Sequence, residues 1–167
     1  MKRIYRKCDG YKYKDLLKYG LDHLRSAGVL FKKDPICYDS AGYLVQLGLE
    51  LILKSILLDR LDEFPAEHNL KILYNLVKKA GFIKLLKDEE HLLKKISEFY
   101  NLRYPNPKQL IEIGNDYWKM IEHIANSLLS YFPEQVFAEL DYSASGHVIK
   151  GGRILIVKTK KGTGTIN

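Results

Sequence analysis

The stretch Ala41–Leu58, AGYLVQLGLELILKSILL, constrains this chain more than any other. Its polar residues are Gln46, Glu50, Lys54 and Ser55, and the first three fall four apart. On a helix that spacing stacks them in one narrow stripe, because i and i+4 share a face. Leu, Ile, Val, Tyr and Ala fill the rest of the circumference, so partners must cover it on most sides. A membrane is one such cover, since a spanning helix needs roughly 17–25 apolar residues. Glu50 and Lys54 lie toward the middle, however, where each charge costs about 2.5–3.5 kcal/mol on insertion. No second run of this length exists and amphipathic stretches surround this one. The expectation is the central helix of a soluble bundle, with no membrane partner. Pattern alone makes Glu50 and Lys54 a solvated i,i+4 ion pair worth about 0.2–0.5 kcal/mol. The alternative is a pair facing a cleft or a dimer seam.

Helical periodicity recurs on both sides. Tyr13–Phe31 carries Leu16, Leu17, Leu21, Leu24, Ala27, Val29 and Leu30 on one stripe, opposite Lys14, Asp15, Lys18, Asp22 and Arg25. Gly20 and Gly28 each weaken that helix by about 1 kcal/mol relative to Ala, unless close packing needs them. The central helix runs from Pro35 or Asp39 to Leu61 and ends in a loop containing Pro65. A third helix, Asn69–Ala80, sets Leu70, Leu73, Leu76 and Val77 on one side, with Gly81 as its stop. The fourth, Asp88–Leu102, begins with three acids that suit the helix dipole. Arg103-Tyr104-Pro105-Asn106-Pro107 is an extended break. The last long helix is expected over Pro107–Phe132, carrying Leu110, Ile111, Tyr117, Met120 and Ile121 among its core residues, with one more turn or two at Glu134–Leu140. Beyond Asp141, β-branched runs around Gly151-Gly152 read as a hairpin of His147–Lys150 and Arg153–Thr159.

The fold class expected is therefore all-α, an up-and-down bundle of about five helices with a small C-terminal β-hairpin. It divides into a basic N-terminal arm (1–11), a helical bundle (12–141) and a basic hairpin tail (142–167). At 167 residues, 46% hydrophobic and 28% charged, the chain is long and apolar enough for one domain with a real core. The net charge of +7 is concentrated at the ends. Residues 1–14 hold six Lys/Arg against one Asp, and residues 147–167 hold five Lys/Arg and no acid. Residues 15–146 carry 16 basic and 19 acidic side chains. Basic ends suit an anionic partner such as RNA through a salt-sensitive, sequence-independent attraction, and equally suit solvated tails. The start is basic with no apolar segment behind it, so no secretory signal is expected. Cys8 and Cys37 lack CxxC spacing and are read as free thiols of a cytoplasmic protein.

Motifs for common chemistry are absent. His23, His68, His91, His123 and His147 are scattered, and no HExxH, GxSxG, Walker or GxGxxG pattern occurs. No metal or other cofactor is expected. Two polar positions stand out by context. His68 opens the third helix after a proline loop, and Arg103 follows the fourth in a backbone-restricting break. Arginine reads phosphate through bidentate donors and a permanent charge, and Tyr104 beside it offers a face on which a base stacks. The bland alternative is that Arg103 caps helix four and Tyr104 fills the core edge.

The order of these motifs resembles the HEPN family (higher eukaryotes and prokaryotes nucleotide-binding domain) over about residues 12–132. It is carried by E-x-x-x-K at Glu50 and Lys54 on the apolar helix, P-x-x-H-x-L at Pro65, His68 and Leu70, and R-Y-P at Arg103, Tyr104 and Pro105. The resemblance implies a bundle that dimerises, often beside a small nucleotidyltransferase, as in toxin–antitoxin modules. It also implies nucleotide binding in some relatives and metal-independent RNA cleavage in others. The ribonuclease branch carries R-x4–6-H, but here the corresponding positions after Arg103 are Lys108, Gln109 and Leu110. The expectation is a binding domain for a nucleotide, RNA or a partner protein. Arg103 and Tyr104 lead its site, followed by Glu50, Lys54 and His68, and the resemblance sets Glu50 and Lys54 along a dimer-associated groove. The alternatives are a ribonuclease that recruits another base, His68 or His91, and a purely protein-binding toxin or antitoxin component.

Overall fold

The computed structural model describes residues 3–33, 35–104, 108–114 and 116–140. Within them lie six α-helices: α1 (Tyr13–Lys33), α2 (Tyr38–Leu61), α3 (Leu70–Lys79), α4 (Lys87–Ser97), α5 (Asp116–Leu129) and the short α6 (Glu134–Ala138). Two three-residue strands, β1 (Ile4–Arg6) and β2 (Glu63–Pro65), pair antiparallel with Tyr5 opposite Phe64. The chain is thus an α-helical bundle. The expected hairpin and the whole of 142–167 lie outside the described residues.

The α2 helix is the axis, and its Val45, Leu49, Ile52, Leu53 and Ile56 are fully buried. With the turn before it, Pro35–Leu61 is long and apolar enough to cross a membrane, its most apolar 18-residue window having a mean hydropathy of 1.5. Its most apolar window is 78% buried within the protein itself, as the apolar circumference of a core helix requires. Its closest neighbour is α1. A Cβ on Gly20 would lie 2.9 Å from the Gly48 carbonyl oxygen, and one on Gly48 would lie 2.9 Å from that of Gly20. Two glycines let two backbones touch. Gly28 plays the same part toward α5, since a Cβ there would run into the Trp118 indole. The close packing that justifies Gly20 and Gly28 in a helix is present.

Elsewhere the sequence expectation needs correction. The last long helix begins at Asp116 rather than Pro107. Described residues 108–114 are irregular, and Leu110, expected in the core, is 98% exposed. Only every second residue of this run turns inward: Ile111 and Ile113 pack against the core, and Ile113 and Leu102 meet α2 at Gly42. That alternation belongs to an extended segment, where side chains point to opposite faces. Met120 is likewise exposed, and on α3 Leu76 is exposed while Tyr74 takes its place inside. The α4 helix ends at Ser97, and Glu98–Arg103 tightens into 3₁₀ turns. The N-terminal arm is tied to the bundle: Lys7 N–H donates to the Asp62 carbonyl (2.9 Å), and Arg6 and Lys7 pair with Glu63 and Asp62.

Candidate functional site

The stripe of polar residues on α2 does not face water. Glu50 is 3% and Lys54 6% exposed, and Lys54 Nζ lies 2.6 Å from Glu50 Oε1. The solvated ion pair expected from the pattern is therefore a buried one. An i,i+4 stripe reaches the surface only if nothing packs over it, and here the α2–α3 connection does. Phe64 of β2 places its ring 5.7 Å from Lys54 Nζ. Gln46, one turn before Glu50, donates from Nε2 to Glu50 Oε2 (3.1 Å) and to the His68 carbonyl (2.9 Å). Charges this deep need both a partner and further hydrogen bonds, and Glu50 has three donors around it.

His68 is the third donor. Its Nδ1 lies 3.1 and 3.2 Å from the two Glu50 oxygens, while its side chain is 58% exposed. Beside it, Glu67 Oε1 accepts from the backbone N–H groups of His68 (2.9 Å) and Asn69 (3.0 Å), and Asn69 caps α3 by accepting from Ile72 N–H (3.2 Å). The loop is fixed from below. Across the site, the His68 ring stacks on Tyr100 with centroids 5.4 Å apart and planes at 21°. The 3₁₀ turns then bring Arg103 to the same phenol. Its guanidinium carbon is 4.7 Å from the ring centre of Tyr100 and 4.7 Å from that of Tyr104. It also donates to the half-buried Tyr43 hydroxyl. Partial desolvation works against the Arg103 charge, but the Tyr100, Tyr104 and Tyr43 phenols outweigh it and raise its pKa.

All five sequence candidates therefore join one row: Lys54, Glu50, His68, then through Tyr100 to Arg103 and Tyr104. Arg103 and Tyr104 are exposed, with Tyr104 at 67%. The alternative that had Tyr104 filling the core edge is thereby set aside. Pro105 of the same motif lies outside the described residues. Sequence reasoning placed Gln46 in the polar stripe without making it a site candidate, and it missed Tyr43, Glu67 and Tyr100. Tyr43 and Gln46 precede Glu50 by seven and four residues and share its helical face. Tyr100 lies one helical turn before Arg103, so periodicity was a usable signal for these three. Glu67 had none.

The polar cluster around Glu89 is of a different kind. Glu89 accepts from Leu86 N–H (2.7 Å) and from the Ser127 hydroxyl (2.7 Å), and His123 lies 3.4 Å away. It closes the start of α4 against α5. His91 sits exposed on α4, in a cleft with Lys94, Lys95 and Glu98 and apart from the row. Among the described residues, no group of three or more His, Cys, Asp or Glu is arranged to hold a metal ion.

No curated protein and no solved structure matches the chain. The family model of the HEPN domain matches residues 13–131, from the first residue of α1 to just past the end of α5. That span includes every member of the row, and with it the chain belongs to the HEPN domain family.

Proposed function

We propose that this domain binds the phosphate of a nucleotide or of RNA at Arg103, with a base stacking on Tyr104. The observation that carries this reading is the state of the arginine. It is exposed, oriented by three phenols, and no carboxylate among the described residues pairs with it. A guanidinium whose faces lie against aromatic rings keeps the N–H groups not given to Tyr43 available for phosphate oxygens, and flanking aromatic rings are how proteins hold an unpaired base. His68, 58% exposed next to Tyr100, borders the same surface, and Glu50 and Lys54 support it from below. The test is equilibrium binding of ATP and of a single-stranded RNA oligonucleotide to wild type and Arg103→Ala. Affinity is expected to fall at least tenfold and to weaken as salt is raised. Unchanged affinity for both probes rejects the assignment.

A second copy is the partner we infer for the adjoining surface. Tyr104 and Leu110, with 67% and 98% exposure, line one cleft with Asp39 and Ile111, close in sequence to Ile36 at 86%. Large apolar side chains gathered beside a polar site suit an interface. A strictly monomeric protein in sedimentation at high concentration argues against it. Assembly with a small nucleotidyltransferase, as a toxin–antitoxin pair, rests on the family resemblance, and co-purification from the source cell tests it.

A further inference from the structure

The cleft beside Tyr104 carries polar groups that neither the row nor an apolar interface uses. Asp39 comes from the first turn of α2, Asn101 from the 3₁₀ turns after α4, and Gln109 from the irregular segment 108–114. Residues far apart in the chain thus line one cavity of about 260 Å³, together with Tyr104, Leu102 and Leu110. Asp39 and Asn101 are exposed and Gln109 is half-buried. Among the described residues none of these three side chains has a hydrogen bond or an ion pair. One unpaired polar group is ordinary where water reaches it. Here a second copy over Tyr104 and Leu110 would shut three of them away from water together, and each costs free energy if it is buried unpaired. A polar ligand held between them removes that cost.

The chemistry of the three groups selects the ligand. A carboxylate only accepts hydrogen bonds, through two oxygens side by side, so Asp39 is matched by an edge with two adjacent donors. The amides of Asn101 and Gln109 each bring two N–H donors, so the same ligand should also present acceptors. Among the four RNA bases guanine alone meets both conditions. Its N1–H and N2 amino group stand next to one another, and its O6 and N7 accept. Adenine and cytosine would each set a ring-nitrogen lone pair against the carboxylate, and uracil has one N–H between two carbonyls. Tyr104, Leu102 and Leu110 offer aromatic and apolar surface for the faces of the ring system. Arg103 lies 4.7 Å from the centre of the Tyr104 ring, which suits a base and a phosphate joined through one ribose.

We propose that this cleft is a guanine-reading subsite. Asp39 accepts from N1–H and the N2 amino group, the amides of Asn101 and Gln109 donate to O6 and N7, and the linked phosphate lies on Arg103. The ligand is a guanosine phosphate, free or within an RNA strand. This assignment rests on the phosphate-binding role of Arg103 and adds to it a base identity, which phosphate contacts do not carry.

The experiment measures equilibrium binding to the full chain of GTP, ITP and ATP. Alongside them run three fluorescein-labelled oligouridylates that differ only in a central guanosine, inosine or adenosine. Wild type is expected to bind guanine probes at least about tenfold more tightly than their adenine counterparts. Inosine keeps O6, N7 and N1–H but lacks the N2 amino group, and its probes are expected to fall between the two. Asp39→Asn, a change at an exposed side chain, offers one donor and one acceptor in place of two acceptors. It is expected to reduce the guanine preference to about twofold or less, or to reverse it, while adenine probes bind at least as tightly as to wild type. Asn101→Ala is expected to narrow the preference as well. Preference among the triphosphates makes the free nucleotide sufficient, and preference confined to the oligonucleotides assigns the base to an RNA strand; both support the subsite. Equal wild-type affinity for guanine and adenine probes overturns it, as does an undiminished guanine preference in Asp39→Asn. Arg103→Ala is read on the same probes. Weakened binding there, with no base preference in wild type, leaves phosphate binding standing without the subsite. A guanine preference at undiminished affinity in Arg103→Ala does the reverse, and no binding of any probe to wild type rejects both.

Discussion

At the scale of single residues, the decisive fact is that Glu50 and Lys54 are buried together. On a surface their attraction would amount to a few tenths of a kcal/mol, and either could be lost without consequence. Under Phe64 and the His68 loop, removing one partner strands the other in a place with little water. Glu50→Ala is expected to cost about 3–5 kcal/mol in urea denaturation, whereas Glu50→Leu combined with Lys54→Met costs much less. A single substitution that costs under about 1 kcal/mol would mean that the pair is hydrated in solution. A second residue makes a pH prediction. Tyr131 has its pKa pushed up to about 12, first by desolvation and then by donating to Asp59 (2.7 Å), with Arg60 opposing. In the unfolded chain this phenol titrates near 10. Between pH 10 and about 12 the folded state holds a proton that the unfolded state has lost. Stability contributed by Tyr131 is therefore present below pH 10 and is lost as pH rises through that window. Tyr131→Phe should flatten this part of the pH–stability curve.

At the scale of elements, the α1–α2 contact turns on glycine. In an isolated helix Gly→Ala would gain about 1 kcal/mol of propensity. At Gly48 the added methyl would meet the Gly20 carbonyl at 2.9 Å and Leu24 Cγ at 2.8 Å, and the carbonyl is backbone that has nowhere to go. Overpacking of this kind costs about 1–3 kcal/mol, so steric cost outweighs propensity and Gly48→Ala is expected to destabilise. The sign of the change in a chemical-denaturation midpoint decides between the two. The element that sets the site is the switch from α4 to 3₁₀ turns at Glu98. It redirects the chain so that Tyr100 reaches His68 and Arg103 reaches Tyr100.

At the scale of the whole molecule, the N-terminal arm joins the site indirectly. Tyr5 stacks on Phe64 with centroids 5.3 Å apart, Tyr11 meets Phe64 edge-on at 5.6 Å, and Phe64 covers Lys54. Removing one member of such a cluster costs about 1 kcal/mol beyond lost burial. Tyr5→Ala should therefore lower Tm by at least about 2–4 °C, by differential scanning fluorimetry. Two of the arm's cations, Arg6 and Lys7, already face Glu63 and Asp62, which lessens what the arm offers an anionic partner.

Periodicity, glycine and proline placement, and the stop at Gly81 made α1 to α4 legible in the residues themselves, because each helix needs a contiguous apolar stripe to be buried. The same rule misread residues 108–114. A short run with Leu110, Ile111 and Ile113 fits helix and extended chain alike, and only contact with Gly42 and Leu102 selects the latter. Glu50, Lys54, His68, Arg103 and Tyr104 were all visible as residues of interest. What the sequence determined by itself was the central helix, its polar stripe and the family. Whether that stripe meets water or a neighbouring loop depends on elements distant in the chain. The tertiary structure alone decided that it lies under His68, and that Tyr100 carries the row onward to Arg103.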